Sequence, residues 1–102
     1  MHAAILSRRE DIAALCRQFG VKRLDLFGSA ADGSFDPLRS DFDFLVDLGE
    51  RPSAAYVDAY FGLHESLERL LGRPVDLVTE RSVTNPYLRQ SILESRKPLY
   101  GD

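Results

Sequence analysis

The chain has 102 residues, a formal charge of −3, and 44% hydrophobic against 28% charged residues, the make-up of one globular domain (residues 1–102) with a single core. Nothing approaches the ~20 apolar residues of a membrane span or the basic-then-apolar layout of a signal peptide. Its only cysteine, Cys16, excludes an internal disulfide and has no metal-site companions, so a cytoplasmic location is the expectation.

The first helical signal follows Ser7, which forms a capping-box pattern with Glu10 (S-R-R-E). Ile12, Leu15, Cys16 and Phe19 then share one face, and Gly20 is a natural stop. Cys16 on that stripe reads as a core thiol, since nothing beside it would lower its pKa. Val21 to Phe27 reads as a strand, with Leu24 and Leu26 on one side and Arg23 and Asp25 on the other. Asp36-Pro37 marks a turn. Asp41 to Leu48 alternates, with Phe42, Phe44, Val46 and Leu48 on one face and Asp41, Asp43, Leu45 and Asp47 on the other.

Pro52-Ser53 opens a second helix whose stripe is Tyr56, Val57, Tyr60, Leu63, Leu67, Leu70 and Leu71, ended by Gly72. Pro74 to Thr79 reads as a third strand, with Asp76 facing away from Val75 and Leu77. Asn85-Pro86 caps a last helix near Leu88 to Ser95, and the tail K-P-L-Y-G can add an edge strand. Alternation of this kind predicts an α/β or α+β fold, a small mixed sheet covered by helices.

Charge is unevenly distributed. Gly28 to Glu50 holds six acids (Asp32, Asp36, Asp41, Asp43, Asp47, Glu50) against Arg39 alone, whereas Arg81 to Tyr100 holds Arg81, Arg89, Arg96 and Lys97 against Glu94. An acidic centre argues against an extended nucleic-acid surface and suits a bound cation.

Three features carry chemistry. Gly28-Ser29 follows a strand directly, where a glycine admits close backbone approach and a helix start aims N–H groups outward; taken alone, such a pair is more often a plain turn, and no P-loop pattern is present. Asp41 and Asp43, two apart on a strand, point the same way with roughly 6.6 Å between them, a spacing that suits Mg²⁺ or Mn²⁺, although an isolated D-x-D is more often a wet strand face. Asp76 repeats the pattern of an acid inside an apolar strand, where aspartate is disfavoured. If the second and third strands are neighbours, three carboxylates share one face and repel one another unless a divalent cation neutralises them. These are the parts of metal-assisted nucleotidyl transfer.

The run GSAADGSFDPLRSDFDFLV, with the later single carboxylate, resembles the motif of the nucleotidyltransferase superfamily of the DNA polymerase beta type. The short length and the continuation GRPVDLVT…NPYLRQSI resemble the minimal nucleotidyltransferases, often encoded beside a helical HEPN protein as a toxin–antitoxin pair; the likeness spans Leu24 to Tyr100. It implies that Gly28 and Ser29 bind phosphate, that Asp41 and Asp43 hold Mg²⁺ or Mn²⁺, and that Asp76 is the third carboxylate, both ligand and helper in activating the acceptor. It implies ATP as substrate and AMP transfer to a tyrosine of a HEPN-type toxin. The chain departs from the family pattern at Asp32, where a basic residue is common, and in a spacer between Gly33 and Ser40 one residue longer than the shortest versions. Arg39 or a cation from the partner is then the counter-charge for a triphosphate. Asp32 is also the feature favouring the alternative, a non-catalytic antitoxin that acts by covering its partner; either reading admits a homo- or hetero-oligomer. Aminoglycoside-modifying relatives carry an added helical domain for their acceptor, for which this length leaves no room.

Other residues read as structural. His64 lies on the polar edge of the second helix without a second ligand, and His2 reads as a disordered terminus. Tyr56, Tyr60 and Phe61 are core by spacing, or an interface if exposed. Arg89, Arg96 and Lys97 are solvated charges by default, able to reach a triphosphate or an acidic partner. The apolar residues of the second helix left over from the core, with the basic C-terminal segment, form the expected docking surface.

Overall fold

A computed structural model describes residues 1–34, 36 and 41–101. Four strands, β1 (Arg23–Phe27), β2 (Phe42–Asp47), β3 (Val75–Thr79) and β4 (Lys97–Tyr100), form one mixed sheet in the order β3-β2-β1-β4. β1 runs antiparallel to both β2 and β4, whereas β2 and β3 are parallel. The parallel pair needs a crossover, supplied by α4 (Ser53–Leu71). The other helices are α1 (Ala3–Ser7), α2 (Arg9–Gln18), α3 (Ser29–Asp32) and α5 (Pro86–Ser95), and a 3₁₀ turn spans Glu80–Ser82. No helix among the described residues is long and apolar enough to cross a membrane.

The alternation expected of β2 fixes its orientation. Phe42, Phe44, Val46 and Leu48 enter the main core with Ile12 and Cys16 of α2 and Leu63 and Leu67 of α4. Phe42 and Phe44 are fully buried, each contributing on the order of 1.5–3 kcal/mol. Cys16 is the core thiol expected, its pKa pushed up to about 12 by burial. The opposite face carries a smaller cluster of Phe27, Leu45, Val83 and Ile92, so α5 covers what α2 and α4 do not.

Local chemistry sets the helix ends. Gly72 stops α4 in the left-handed conformation (φ 65°), and Asn85 Oδ1 accepts the Tyr87 N–H at 2.8 Å to start α5 at Pro86. The N-terminus departs from expectation. Ser7 does not cap a helix but ends α1, donating its hydroxyl to Ala4 O, and the chain breaks at Arg8 (φ −111°, ψ 12°) before α2. The cap is His2, whose Nδ1 accepts the Ala4 N–H at 3.0 Å. His2 is no frayed end: its N–H donates to Ala30 O at 2.8 Å and its ring meets Phe42 edge-on, 5.4 Å between centroids.

Asp25 is the main surprise of the core. Sequence alternation puts it opposite Leu24 and Leu26, yet it is fully buried. Arg96 donates to Asp25 Oδ2 from Nη2 at 2.5 Å and from Nε at 2.9 Å, and Arg23 Nε donates to Oδ1 at 3.1 Å. Arg96 is therefore part of the fold and not a solvated charge. Arg89, which donates to Val83 O at 2.9 Å, is likewise held.

Candidate active site

Parallel pairing of β2 and β3 puts Asp43 directly opposite Asp76. Neighbouring strands lie ~4.8 Å apart, so the two side chains leave the same sheet face side by side. Asp41 stands exposed one residue before β2, and its charge also reaches Asp43. Partial burial first, then Asp76 and Asp41, push the Asp43 carboxyl up to about 6. Asp76 itself is exposed, which leaves the acid cluster open to a large ligand.

The antiparallel register of β1 and β2 pairs Phe27 with Asp43, which brings the next residue, Gly28, against the same carboxylate. Gly28 has φ 72° and ψ −152°, a conformation essentially reserved for glycine, and a Cβ there would stand 2.5 Å from Asp43 Oδ2. The Gly28 N–H is already taken: it donates to Ser95 Oγ of α5 at 2.9 Å. The Gly28 carbonyl accepts the N–H groups of Ala31 and Asp32, each at 3.1 Å. By helix geometry, the donor that the first turn of α3 can offer outward is then the N–H of half-buried Ser29, with the Ser29 hydroxyl beside it, since Ala30 is buried.

Of the sequence-predicted residues, Gly28, Ser29, Asp43 and Asp76 meet at one end of the sheet, with Asp41 at its rim. Arg39 lies outside the described residues, as does Pro37 of the expected turn. Asp32 is at the far end of α3, where its carboxylate accepts the Ser34 hydroxyl at 2.6 Å and the Ser34 N–H at 2.9 Å. These bonds hold it below the usual carboxylate range and turn it toward Ser34. His64 is structural, with Nε2 2.8 Å from Val75 O. Tyr60 donates its hydroxyl to Leu77 O, on the residue after Asp76; burial first and the Asp76 charge second raise its pKa. Ser95 had no sequence signal, being one serine at the end of a helix.

Among the described residues no three His, Cys, Asp or Glu side chains close to full metal-ligand spacing. The donor set nevertheless suits a hard cation. Mg²⁺ is commonly held by one or two carboxylates plus substrate phosphates, and the cradle at Gly28 keeps one Asp43 oxygen against the turn that ends β1. On the same sheet face, a cavity of about 180 Å³ opens beside Leu45, Val83 and Ile92.

Residues 9–99 match the model of the nucleotidyltransferase domain family. MJ1379 of Methanocaldococcus jannaschii, a candidate protein adenylyltransferase, is 40% identical over 77 residues, 76% of this chain and 75% of that protein. The protein adenylyltransferase MntA of Thermococcus cleftensis is 42% identical over 69 residues, 68% of this chain and 66% of that one. Among solved structures, a candidate minimal nucleotidyltransferase superposes with a TM-score of 0.69 at 36% identity, covering 97% of both chains. A toxin–antitoxin structure with AMP-PNP gives 0.68 at 28% identity, covering 92% of this chain and 73% of that one. A tri-AMPylated Shewanella oneidensis HEPN toxin in complex with its MNT antitoxin gives 0.63 at 25%, covering 95% and 72%.

Proposed function

The chain belongs to the nucleotidyltransferase domain family, and from that premise we propose that it is an antitoxin that transfers AMP from ATP to a tyrosine of a HEPN-type toxin. The observation that carries the reading is the in-register pair Asp43–Asp76 seated beside the Gly28 turn, with the Asp43 carboxyl pushed up to about 6 by its burial first and by the Asp76 and Asp41 charges second. Acids so placed are costly in an empty protein and useful in one that binds a divalent cation with a triphosphate.

In the reaction, the tyrosine oxygen attacks the α-phosphorus of ATP, the new O–P bond forms, and the bond to the bridging oxygen breaks to release pyrophosphate. Asp41 and Asp43 would hold Mg²⁺ or Mn²⁺, which supplies neutralisation of phosphate charge and lowers the pKa of an oxygen bound to it. Asp76, exposed at the rim, accepts the proton of the tyrosine hydroxyl. Ser29 and the first turn of α3 donate to the phosphates, and Arg39 is the counter-charge in the adjoining spacer.

A purely covering role drew its support from Asp32. That carboxylate stays ionised but is turned toward Ser34 at the C-terminal end of α3, away from the first turn where Ser29 stands. The test is a transfer assay with a co-purified HEPN toxin and ATP labelled at either the α- or the γ-phosphate. Label should appear on the toxin only from the α position; label from neither position would overturn the reading.

A further inference from the structure

The Ser95 hydroxyl is used twice. It donates to Ser91 O at 2.8 Å within α5, which aims a lone pair outward, and it accepts the Gly28 N–H at 2.9 Å from 67 positions away in sequence. Ser95 is buried. The next residue, Arg96, anchors the same helix end to Asp25 of β1. Two consecutive residues thus fasten α5 to the strand and to the turn that ends it.

This fastening acts on the most permissive point of the site. A glycine at positive φ is free to rotate, and nothing in its own side chain holds the turn. Fixing its N–H fixes the peptide plane between Phe27 and Gly28. From that plane the chain turns through Gly28 into α3, and the missing Cβ of Gly28 leaves the room that Asp43 Oδ2 occupies. Resting on the AMP-transfer reading above, we propose that Ser95 is a positioning residue for that reaction: it holds Gly28 so that the Asp43 carboxylate, which would take the metal, and Ser29, which would take a phosphate oxygen, keep their relative placement. A corollary distinguishes this from simple satisfaction of a polar group. Gly28 N–H is withheld from the ligand, and phosphate is read by Ser29.

Amide exchange in the intact wild-type protein is the first measurement. The Gly28 amide should exchange slowly, and AMP-PNP with Mg²⁺ should shift the Ser29 amide resonance more than that of Gly28. Ser95→Ala and Ser95→Thr come second. Misplacement of reacting groups by about 1 Å can cost up to ~10²-fold, so Ser95→Ala should lower kcat about tenfold or more at temperatures well below its Tm, with Gly28 exchange accelerated. Ser95→Thr, which keeps the hydroxyl, should recover most of the rate. A Gly28 amide that exchanges like an exposed loop in the wild type overturns the proposal whether or not the alanine variant folds. So does a Ser95→Ala kcat equal to wild type, or a loss that merely follows Tm and is not recovered by threonine. Should the wild type transfer no AMP, the functional reading fails separately, and the exchange and AMP-PNP measurements still decide the role of Ser95.

Discussion

Gly28 and Asp43 are packed so closely that a single added methyl on Gly28 would stand 2.5 Å from Asp43 Oδ2. The obstacle is the end of a side chain, so the carboxylate would swing aside instead of the backbone. The backbone nevertheless carries its own cost, because φ 72° with ψ −152° strains any residue with a Cβ. Gly28→Ala should therefore lose about 1–3 kcal/mol of stability and, separately, its response to metal. The expected result is a lower Tm together with loss of the Mg²⁺-dependent gain in AMP-PNP affinity, read by calorimetry. Undiminished affinity would place the phosphates elsewhere.

Asp43 makes stability depend on pH. Its folded pKa of about 6 lies above the ordinary value of 3.8, so between those values the folded state binds more protons than the unfolded one. Stability should then fall as pH rises from about 4 to about 6 and level off above. Asp43→Asn should remove that slope and make the metal-free protein more stable at pH 7, by about 1 kcal/mol once screening of a partly exposed group is allowed for. Mg²⁺ should raise the Tm of the wild type and not of the variant. Denaturation curves across this pH range, with and without Mg²⁺, check both; a wild type whose stability rises through pH 4 to 6 alongside the variant would contradict the clustering.

Arg96 and Asp25 form a buried pair in which one partner cannot be removed cheaply. Arg96→Met should cost about 3–5 kcal/mol, because it leaves a fully buried carboxylate with Arg23 as its remaining guanidinium partner among the described contacts. Lys97→Met, at an exposed position next to it, should stay within about 0.5 kcal/mol. Urea denaturation of the two variants side by side separates a fold-holding cation from a surface one.

How far the sequence could be read follows from the range of the forces involved. Strand alternation in β2 and the glycine and proline punctuation of α4 and α5 are local, and the helices and strands they predict are present. Pairing is not local. That Asp43 faces Asp76 depends on β2 and β3 being parallel neighbours across the whole of α4, which no window of sequence encodes. Asp25 reads only as the alternate to Leu24 and Leu26, and its burial follows from Arg96, 71 positions later, being brought over it. The capping-box pattern at Ser7 misleads because His2 provides a competing cap one helix earlier. Ser95 is invisible for the same reason as Asp25: its partner is a backbone N–H from another element.

The last prediction concerns how the toxin is held. α4 leaves Val57 and Phe61 exposed at 50% and 62%, and they line a cavity of about 270 Å³ with Tyr56, Tyr60, Thr79 and Ser82. Tyr60, which lines that groove, donates its hydroxyl to Leu77 O, one residue after Asp76 in β3. The basic C-terminal segment contributes less than its composition implies, because Arg89 and Arg96 are held within the fold. A hot-spot side chain at the centre of an interface costs about 2 kcal/mol or more when removed, about a thirtyfold loss of affinity. Phe61→Asp should accordingly weaken the toxin complex by that order and raise the KM for toxin, while AMP-PNP affinity stays at the wild-type value. Asp76→Asn should do the reverse, leaving the complex intact and abolishing AMP on the toxin tyrosine. Calorimetry of the complexes and mass spectrometry of the bound toxin give the two readouts. A Phe61→Asp protein that binds and modifies the toxin as the wild type does would move the docking surface off α4. A toxin that is inhibited but unmodified in the wild-type complex would return the protein to a covering role.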